Sequence, residues 1–363
     1  MRILYDHQVF SLQSMGGVSR YYYELLRQFS RMGSCRPEMA IGVHQNGFDF
    51  RKLPGVKTWG LHGLAIAPGK PRYILNELFS TVLLPFCGEF DVYHPTMYRH
   101  VRAARWKKMV VAHQDCAYER YPALFNRVEM IKRLRARQFQ TADAIICPSE
   151  STRRDLHEFY DVPESKTFVV HYGVTKMQGG SGVRDEFPCD RPYLLYVGSR
   201  ASYKNFPALL RGFAAAGLKS EFDIVVVGGG ATTDAERPLI RETDLVGRVQ
   251  FVTRASDALL SQLYTRARLL VYPSLYEGFG FPPLEAMSFG CPVLAARTSC
   301  LPEICRSAAF YFEANNLESF VSSLGVACFD ESQRAEKVRE GKGLITSYSW
   351  QKCAAGTLAI YKQ

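Results

Sequence analysis

Two glutamates, Glu277 and Glu285, stand eight positions apart around a glycine-containing stretch. The stretch follows a predicted strand that ends at Pro273-Ser274. It runs into Pro282-Pro283, which is typical of a first helical turn, because proline there removes no intrahelical hydrogen bond. Backbone N–H groups at a helix start bind phosphate. Glu277 enters this stretch, and we expect Glu285 to lie in the first turn of the helix. Carboxylates beside such a cradle predict contacts to a sugar or a developing cation and to ribose hydroxyls, although either glutamate alone would be an ordinary loop residue.

Two cations, Arg200 and Lys204, follow the predicted strand 193–198 and stand four positions apart. From that spacing both could reach one phosphate group, the arginine as a fork and the lysine as a point charge. Each by itself is more often a surface cation. The run Gly228-Gly229-Gly230 ends another predicted strand, but any tight turn uses glycine, so the run is weak evidence for a binding site.

The composition is that of a globular protein. The chain has 363 residues, a net charge of +10 and 47% hydrophobic residues, which excludes a disordered, collagen-like or coiled-coil chain and predicts two domains. Ten cysteines occur singly, without a C-x-x-C pair, which predicts reduced thiols. There is no secretory apolar region and no run of about 18 apolar residues, so we expect a cytoplasmic protein.

Positive charge is concentrated in the first half of the chain. Residues 1–175 hold 24 Lys+Arg against 16 Asp+Glu, with peaks at 99–108 and 127–137. In the second peak, apolar residues at helical spacing predict one apolar stripe among the cations: Val128, Met130, Ile131 and Leu134. A solvated face, a surface for an anionic membrane or lipid-linked substrate, and a nucleic-acid surface remain open. No helix-turn-helix, zinc-finger or RNP-type motif supports nucleic acid, and we expect none as a partner.

Short β-branched runs alternate with helical segments in both halves. Strands are predicted at 2–5, 37–43, 92–94, 109–113, 144–147, 167–171, 193–198, 223–228, 249–252, 269–272 and 292–295, with helices at 19–29 and 205–215. Such strands are typical of parallel sheets covered on both faces. We therefore predict an α/β protein of two doubly wound, Rossmann-like parallel-sheet domains that face each other across a ligand-binding cleft.

A small, polar stretch between Gly173 and Arg191 has the composition of a linker. It predicts a domain boundary, with an N-terminal domain at 1–178 and a C-terminal domain at 190–347. A further segment, 348–363, ends the chain.

The segment from Pro273 to Met287 resembles the signature of glycosyltransferase family 4, retaining enzymes of GT-B fold. That signature reads P-S-x-x-E-G-F-G-x-P-x-x-E-A-M, and every specified position is matched. The resemblance implies that Glu277 contacts the donor sugar and that Glu285 contacts the nucleotide ribose. It also implies a donor-binding role for the residues between them, namely Gly278, Phe279 and Gly280.

The resemblance covers nearly the whole chain and implies that 1–178 is the acceptor-side domain and 190–347 the nucleotide-sugar-binding domain. In the C-terminal half it implies that Arg200 and Lys204 pair with the donor diphosphate, near the strand-end glycine Gly228. One departure is Thr253-Arg254-Ala255, where the family often has a glycine, so no base contact is carried over to this loop. The segment 348–363 resembles the family's last helix, which crosses back to the N-terminal domain.

In the N-terminal half, Gly16-Gly17 resembles the glycine loop that approaches the donor phosphate and the acceptor. His113 stands where the family commonly has a His-Asp dipeptide and is the candidate contact to the transferred sugar. The inserted Gln114 is a second departure, and it leaves the role of Asp115 open.

The resemblance also implies a mechanism. The chain contains no Asp-x-Asp, the pattern expected where a divalent metal neutralises the donor diphosphate, so we expect no metal and no cofactor besides the donor itself. Arg200, Lys204 and helix amides would then stabilise the leaving group. The acceptor hydroxyl attacks from the side that the diphosphate leaves, so the anomeric configuration is retained.

The segments Ile3–Asp6 and Gly16–Tyr21 are similar to bacterial mannosyl- and rhamnosyltransferases that build O-antigen and other surface polysaccharides on lipid carriers. A GDP-linked sugar is therefore the first expectation for the donor, and a UDP-linked sugar is the second. The expected acceptor is a lipid-linked glycan or oligosaccharide. A cytoplasmic protein, or one peripheral on the inner face of the cytoplasmic membrane, would meet both substrates.

Three other functional classes have weaker support in the sequence. A sugar-nucleotide epimerase or hydrolase of the same shape would release product without an acceptor. An NAD-dependent oxidoreductase needs G-x-G-x-x-G after its first strand, which the loop at Gly16-Gly17 does not match. A non-catalytic basic binding protein gives no reason for the segment from Glu277 to Glu285.

Overall fold

The computed structural model describes residues 1–13, 16–44, 47–62, 69–99, 104–175, 189–200 and 202–363, with backbone alone for Arg51 and His62. The described chain divides into two compact units. The N-terminal unit comprises Met1–Gly173 together with Trp350–Gln363, and the C-terminal unit comprises Val174–Ser349. The boundary predicted at 178–190 falls almost entirely outside the described ranges.

Within its described residues, the N-terminal unit is built on one parallel sheet. The strands are β1 Arg2–Asp6, β2 Arg36–His44, β3 Lys57–His62, β4 Glu89–His94, β5 Arg105–Ala112, β6 Ala144–Cys147 and β7 Thr167–Val169, in the order β3-β2-β1-β4-β5-β6-β7. The helices are α1 Gln8–Leu12, α2 Gly17–Phe29, α3 Lys70–Leu83, α4 Ala117–Arg120, α5 Val128–Thr141 and α6 Glu150–Phe159. The strand order reverses between β1 and β4, a topology in which ligands bind beyond the carboxyl ends of the strands.

The last helix of the chain, α14 (Trp350–Lys362), belongs to the N-terminal unit. Its Tyr361 hydroxyl lies 2.9 Å from the hydroxyl of Tyr5 and 2.5 Å from Nδ1 of His94. Lys108 donates to the carbonyl of Ile360 at 3.1 Å. These polar contacts hold the helix against strands β1, β4 and β5.

The C-terminal unit repeats the architecture among its described residues. Its strands are β8 Tyr193–Val197, β9 Asp223–Val227, β10 Val249–Val252, β11 Leu269–Tyr272, β12 Val293–Ala296 and β13 Phe310–Phe312, in the order β10-β9-β8-β11-β12-β13. Its helices are α7 Phe206–Ala215, α8 Glu236–Glu242, α9 Asp257–Arg266, α10 Phe281–Ser288, α11 Leu301–Cys305, α12 Leu317–Phe329 and α13 Glu331–Leu344. Here the order reverses between β8 and β11.

The central strands are short and apolar because both of their faces are covered. Every residue of β9 and β11 is buried, and so are Leu194, Leu195 and Tyr196 of β8. Parallel sheets buried on both sides have this composition. The predicted fold class, α/β with two doubly wound parallel-sheet domains, is confirmed.

Several predicted boundaries need correction. Helix α2 begins at Gly17 instead of residue 19, and Asn205 precedes α7 in a left-handed conformation instead of beginning it. Strand β3 was not predicted, because its sequence is polar and contains Gly60. Strand β13, of three residues, was also not predicted.

Candidate active site

Glu277 follows β11 at the point where the strand order of the C-terminal unit reverses. Its Oε1 accepts a hydrogen bond from Lys204 Nζ at 2.6 Å and another from the hydroxyl of Tyr272 at 2.6 Å. Its backbone N–H donates to Ser299 Oγ at 3.0 Å. Lys204 follows β8, so the two strands on either side of the reversal each supply one member of this ion pair.

The carboxylate of Glu277 is held through one oxygen only. Among the described residues, both side-chain donors converge on Oε1, and Oε2 has no partner. The side chain keeps 10% exposure. Tyr272 is fully buried, and burial first, with the adjacent Glu277 charge second, raises its pKa well above the ordinary value, so the phenol remains a hydrogen-bond donor. A fixed anion with one accessible oxygen can accept sugar hydroxyls or stabilise a developing positive charge.

The loop from Gly278 to Gly280 connects Glu277 to helix α10. Gly280 has a φ of 85°, and a Cβ there would lie 3.0 Å from a methyl carbon of Leu301, so both conformation and space favour glycine. Phe279 is buried and packs edge-to-face against Phe281 and Tyr348. The predicted loop residues therefore form a packed connection that leads directly into the helix.

Helix α10 begins at Phe281, so Pro282 and Pro283 are its second and third residues. Glu285 is consequently the fifth, and the prediction that it lies in the first turn is wrong. Its side chain is buried and accepts a hydrogen bond from the Tyr264 hydroxyl at 3.0 Å. The two prolines also remove two of the N–H donors that a helix start usually offers to phosphate. The ribose contact of Glu285 remains a prediction.

Arg200 lies beside the glycine run that follows β9. Its guanidinium donates to the carbonyls of Gly228 at 2.6 Å, Gly230 at 3.2 Å and Ala231 at 2.6 Å. Its Nε donates to Glu236 Oε1 at 2.5 Å, and its side chain is buried. The guanidinium thus fixes the loop, and a diphosphate contact, which remains a prediction, would require it to give up some of these acceptors.

Gly228 is required by the close approach of two loops. Its φ is 94°, and a Cβ there would lie 2.9 Å from the carbonyl oxygen of Gly198. The backbones of the loops after β8 and β9 therefore lie in direct contact at this point. This glycine lies at the strand end where the sequence analysis placed it.

A cavity of about 280 Å³ in the N-terminal unit is lined by chain neighbours of the predicted residues, but not by Gly16, Gly17 or His113 themselves. Its walls come from the segments that follow β1, β4 and β5: Val9, Leu12, Gln13, Val18, Thr96, Met97, Tyr98, Ala112, Gln114, Asp115, Tyr118 and Gln138. Gly16 caps α2 in an extended conformation, and a Cβ there would meet Gln13 at 2.2 Å. Gly17 is the first residue of α2, so the predicted glycine loop leads into this helix beside the cavity.

His113 is buried immediately after β5, and its Nε2 lies 3.1 Å from Cys116 Sγ. Burial, and then the charge of Arg135, lower the pKa of His113 well below the ordinary value, so the imidazole is neutral. Its neighbours Gln114 and Asp115 line the cavity. The contact of His113 to the transferred sugar remains a prediction.

Sequence reasoning did not single out Asp6, which is fully buried at the end of β1. Its carboxylate accepts hydrogen bonds from the N–H and hydroxyl of Thr96 at 3.1 and 2.5 Å and from the Tyr93 hydroxyl at 2.7 Å. It also accepts from Gln8 Nε2 at 2.6 Å. Asp6 thereby positions the segment after β4 that forms one wall of the cavity. The sequence signal for this residue was a single aspartate directly after the predicted strand 2–5.

Tyr272 and Glu236 were also missed as site residues. Tyr272 is the last residue of a predicted strand and stands five positions before Glu277. Glu236 lies in a polar stretch whose relation to Arg200 depends on the fold.

The basic peak at 127–137 differs from its prediction. Arg135 is buried, donates to both carboxylate oxygens of Glu119 at 3.0 and 2.7 Å, and donates to the Tyr98 hydroxyl at 2.6 Å. The predicted apolar stripe is wrong in part, because Met130 is exposed and Ile131 and Leu134 are half-buried. Helix α5 instead buries Val128, Arg135, Gln138 and Phe139.

The first basic peak, at 99–108, does not form one patch. Lys107 pairs with Asp91 at 2.9 Å, and Lys108 bonds to α14. Arg102 lies outside the described residues. The predicted charge concentration therefore does not translate into a row of available cations.

Two features are absent from the described residues. No group of three or more histidine, cysteine, aspartate or glutamate side chains is arranged to hold a metal ion within those residues. None of the described helices has both the length and the apolar character required to cross a bilayer.

Two family models match the chain. The model of glycosyltransferase family 4 matches residues 15–176, and the model of glycosyl transferases group 1 matches residues 184–342. Among curated proteins, an O-antigen chain mannosyltransferase B of Escherichia coli is 25% identical over 252 residues. That match covers 65% of this chain and 65% of the relative, so the chain spans slightly less than two thirds of the relative's length.

Solved structures show the same fold. Sucrose-phosphate synthase from Thermosynechococcus elongatus has a TM-score of 0.78 at 18% identity, covering 100% of this chain and 98% of that one. Anabaena HepE, solved with UDP-glucose, has a TM-score of 0.73 at 15% identity, covering 99% of both chains. These structures and the two parallel-sheet units show the GT-B fold. The two family models, which between them match 15–176 and 184–342, show that the chain belongs to glycosyltransferase family 4.

Proposed function

We propose that the chain is a retaining hexosyltransferase that moves a mannose- or rhamnose-like sugar from a nucleoside diphosphate to a hydroxyl of a growing, lipid-linked bacterial surface glycan. The observation that carries this proposal is the Lys204–Glu277 ion pair at the β8/β11 reversal, fixed by Tyr272. It places a cation and a carboxylate at the position where doubly wound sheets bind ligands.

The pair has a chemical use in glycosyl transfer. When the bond between the sugar C1 and the diphosphate oxygen breaks, negative charge develops on the leaving group and positive charge on the sugar ring. Lys204 can neutralise the first charge, and the accessible oxygen of Glu277 can stabilise the second or bind a sugar hydroxyl. The acceptor oxygen forms its bond to C1 on the same face, and its proton passes to a phosphate oxygen.

We propose that no metal takes part. The chain contains no Asp-x-Asp motif, and Lys204 with the amides near α10 supplies positive charge to the diphosphate. Arg200 contributes either by contacting the diphosphate directly or by holding the loop at Gly228. The two roles can be distinguished by experiment.

A GDP-linked sugar is the proposed donor, supported by the mannosyltransferase relative. A UDP-linked sugar is the alternative, supported by the fold neighbour that was solved with UDP-glucose. A thermal-shift screen of GDP, UDP, ADP and dTDP sugars identifies the donor, because a ligand that binds only the folded state raises the melting temperature.

Variants then test the chemistry. Glu277→Ala and Lys204→Ala should each lower kcat by orders of magnitude with the fold retained. The matched controls are Glu313→Ala and Arg297→Ala, which break an exposed ion pair of the same unit, 3.0 Å long, and should leave kcat unchanged. Near-wild-type turnover in either site variant, or full dependence on added metal, would overturn the proposal.

An epimerase or hydrolase of GT-B shape is the second candidate. Donor consumption measured with and without a glycan acceptor distinguishes the two activities. Consumption at the same rate without an acceptor would favour the second candidate.

A further inference from the structure

Helix α3 of the N-terminal unit buries polar residues and exposes apolar ones. Its buried residues are polar, namely Arg72, Asn76 and Ser80, each with 0% exposure. Its outward side carries large apolar residues: Ile74 at 58% exposure, Leu75 at 41%, Leu78 at 60% and Val82 at 69%. A surface helix of a globular protein ordinarily has the opposite arrangement.

Hydrogen bonds fix the rotation of this helix. The side-chain oxygen of Asn76 accepts the Val43 N–H at 2.6 Å, and its side-chain nitrogen donates to the Val43 carbonyl at 2.9 Å and to Ser11 Oγ at 2.8 Å. The contact is so close that a Cβ on Gly42 would lie 2.3 Å from Asn76. Rotating the helix to bury its leucines would break all three bonds, so the apolar side is held outward.

The apolar side continues beyond the helix. Phe86, in the short 3-10 helix Leu84–Cys87, is 86% exposed. We call Ile74, Leu75, Leu78, Val82 and Phe86 the α3 face. Helix α3 has 14 residues and is about 21 Å long, so the α3 face is a ridge of helical length. Contiguous exposed apolar surface of this kind marks an interaction site.

Charge indicates what covers the α3 face. The N-terminal unit holds 26 Lys+Arg against 16 Asp+Glu, a net charge of +10, whereas the C-terminal unit holds 19 of each. The α3 face is formed by apolar side chains, exposed Lys70 begins the helix, and the acidic residue of the helix, Glu77, lies 3.3 Å from Nε2 of His7. A second copy would bring two strongly positive units together, whereas an anionic surface attracts this unit.

We propose that the α3 face docks the N-terminal unit on a lipid bilayer that contains anionic headgroups. The inference deepens the proposed function and rests on it in one respect, because a lipid-linked acceptor lies in a membrane. The apolar side chains enter the boundary between headgroups and acyl chains, and the polar side of α3 remains bonded to β2. The positive unit is drawn to the anionic surface over a distance of about a Debye length.

The test is co-sedimentation of the full chain with vesicles of phosphatidylcholine, with and without phosphatidylglycerol, in the absence of any sugar nucleotide. The test variant is Leu78→Glu/Val82→Glu. The control is Val246→Glu/Phe329→Glu, which adds the same charge at exposed apolar positions of the C-terminal unit. All four side chains are exposed, so both proteins should fold, as checked by circular dichroism and melting temperature.

We expect the wild type and the control to bind phosphatidylglycerol vesicles, and the α3 variant to partition at least about tenfold more weakly. No wild-type binding, equal loss in both variants, or equal wild-type binding to both vesicle types would overturn the proposal. So would sedimentation velocity showing a wild-type dimer that the α3 variant abolishes while vesicle binding persists. Because no sugar nucleotide is present, failure of the transferase proposal would appear separately, in the turnover assay.

Discussion

Tyr272 fixes Glu277 by donating its phenolic hydrogen to Oε1 at 2.6 Å, the same oxygen that Lys204 contacts. Because the phenol comes from the buried end of β11, it ties the carboxylate to the sheet, whereas Lys204 approaches from the short 3-10 helix Ser202–Lys204. The orientation of the accessible oxygen therefore depends on a residue that need not touch substrate.

Tyr272→Phe should lower kcat by about 10- to 100-fold, the range expected for loss of a hydrogen bond to a charged group, with little change in the KM for the donor. Steady-state kinetics separate the two constants. The control is Tyr193→Phe, which removes a buried hydroxyl bonded to the Leu263 carbonyl at 2.8 Å in the same unit. Equal kcat values in the two variants would show that Tyr272 has only a structural role.

Glu236 distinguishes the two roles of Arg200. Burial tends to raise the pKa of Glu236, but the hydrogen bonds from Arg200 and the Thr233 N–H outweigh it and hold the pKa below the ordinary value. If Arg200 acts by holding the glycine loop, Glu236→Gln should raise the donor KM in the same direction as Arg200→Lys, by about tenfold or less. If Arg200 contacts the diphosphate directly, Glu236→Gln should leave the KM near the wild-type value. Donor titrations of both variants decide between the roles.

Arg135 should behave as a core residue. Removing one partner of a buried ion pair leaves an unpaired charge, so Arg135→Ala should destabilise the N-terminal unit by about 3–5 kcal/mol. The exposed neighbour is the control, and Arg133→Ala should cost about 0.5 kcal/mol or less. Urea unfolding measures both values. Similar free energies of unfolding in the two variants would contradict the assignment of Arg135 to the core and would count it among the surface charges.

Acid should weaken the N-terminal unit through His94. Burial lowers the pKa of His94 to about 3, against an ordinary value near 6.5 in the unfolded chain. The unfolded state therefore binds a proton below about pH 6.5 while the folded state does not, and stability falls as the pH drops from about 6.5 towards 3. The loss approaches about 1.4 kcal/mol per pH unit from this residue.

The test compares unfolding midpoints at pH 7 and pH 5 for the wild type and His94→Gln. The variant loses the bond to Tyr361 and should be less stable at both pH values, but its midpoint should change less between them. An unchanged pH dependence would assign the acid sensitivity elsewhere, with buried His113 as the next candidate.

The central strands could be predicted because they are short, buried apolar runs between helical segments. Strands β6 and β11 are fully buried and occupy the residues predicted for them. The edge strand β10 was also predicted, although it is only half-buried. The edge strand β3 was not predicted, because the backbone of Gly60 approaches that of Gly42, which no local pattern reveals.

The site could be predicted in part. The signature identified Glu277, and the spacing identified Lys204, and the structure places them in contact. Sequence could not show that Arg200 is engaged with three carbonyls, because these acceptors lie 28 to 31 positions away. For the same reason the basic peak suggested a surface at Arg135, whose partner Glu119 is 16 positions earlier.

The return of α14 to the N-terminal unit has a consequence for synthesis of the chain. The residues that complete this unit, Trp350–Gln363, leave the ribosome only after the 176 residues of Val174–Ser349 have been made. At about 5–20 residues per second, the first 173 residues wait about 9–35 s with Tyr5 and His94 lacking their partner on the last helix. The C-terminal unit, continuous in sequence, can finish folding first.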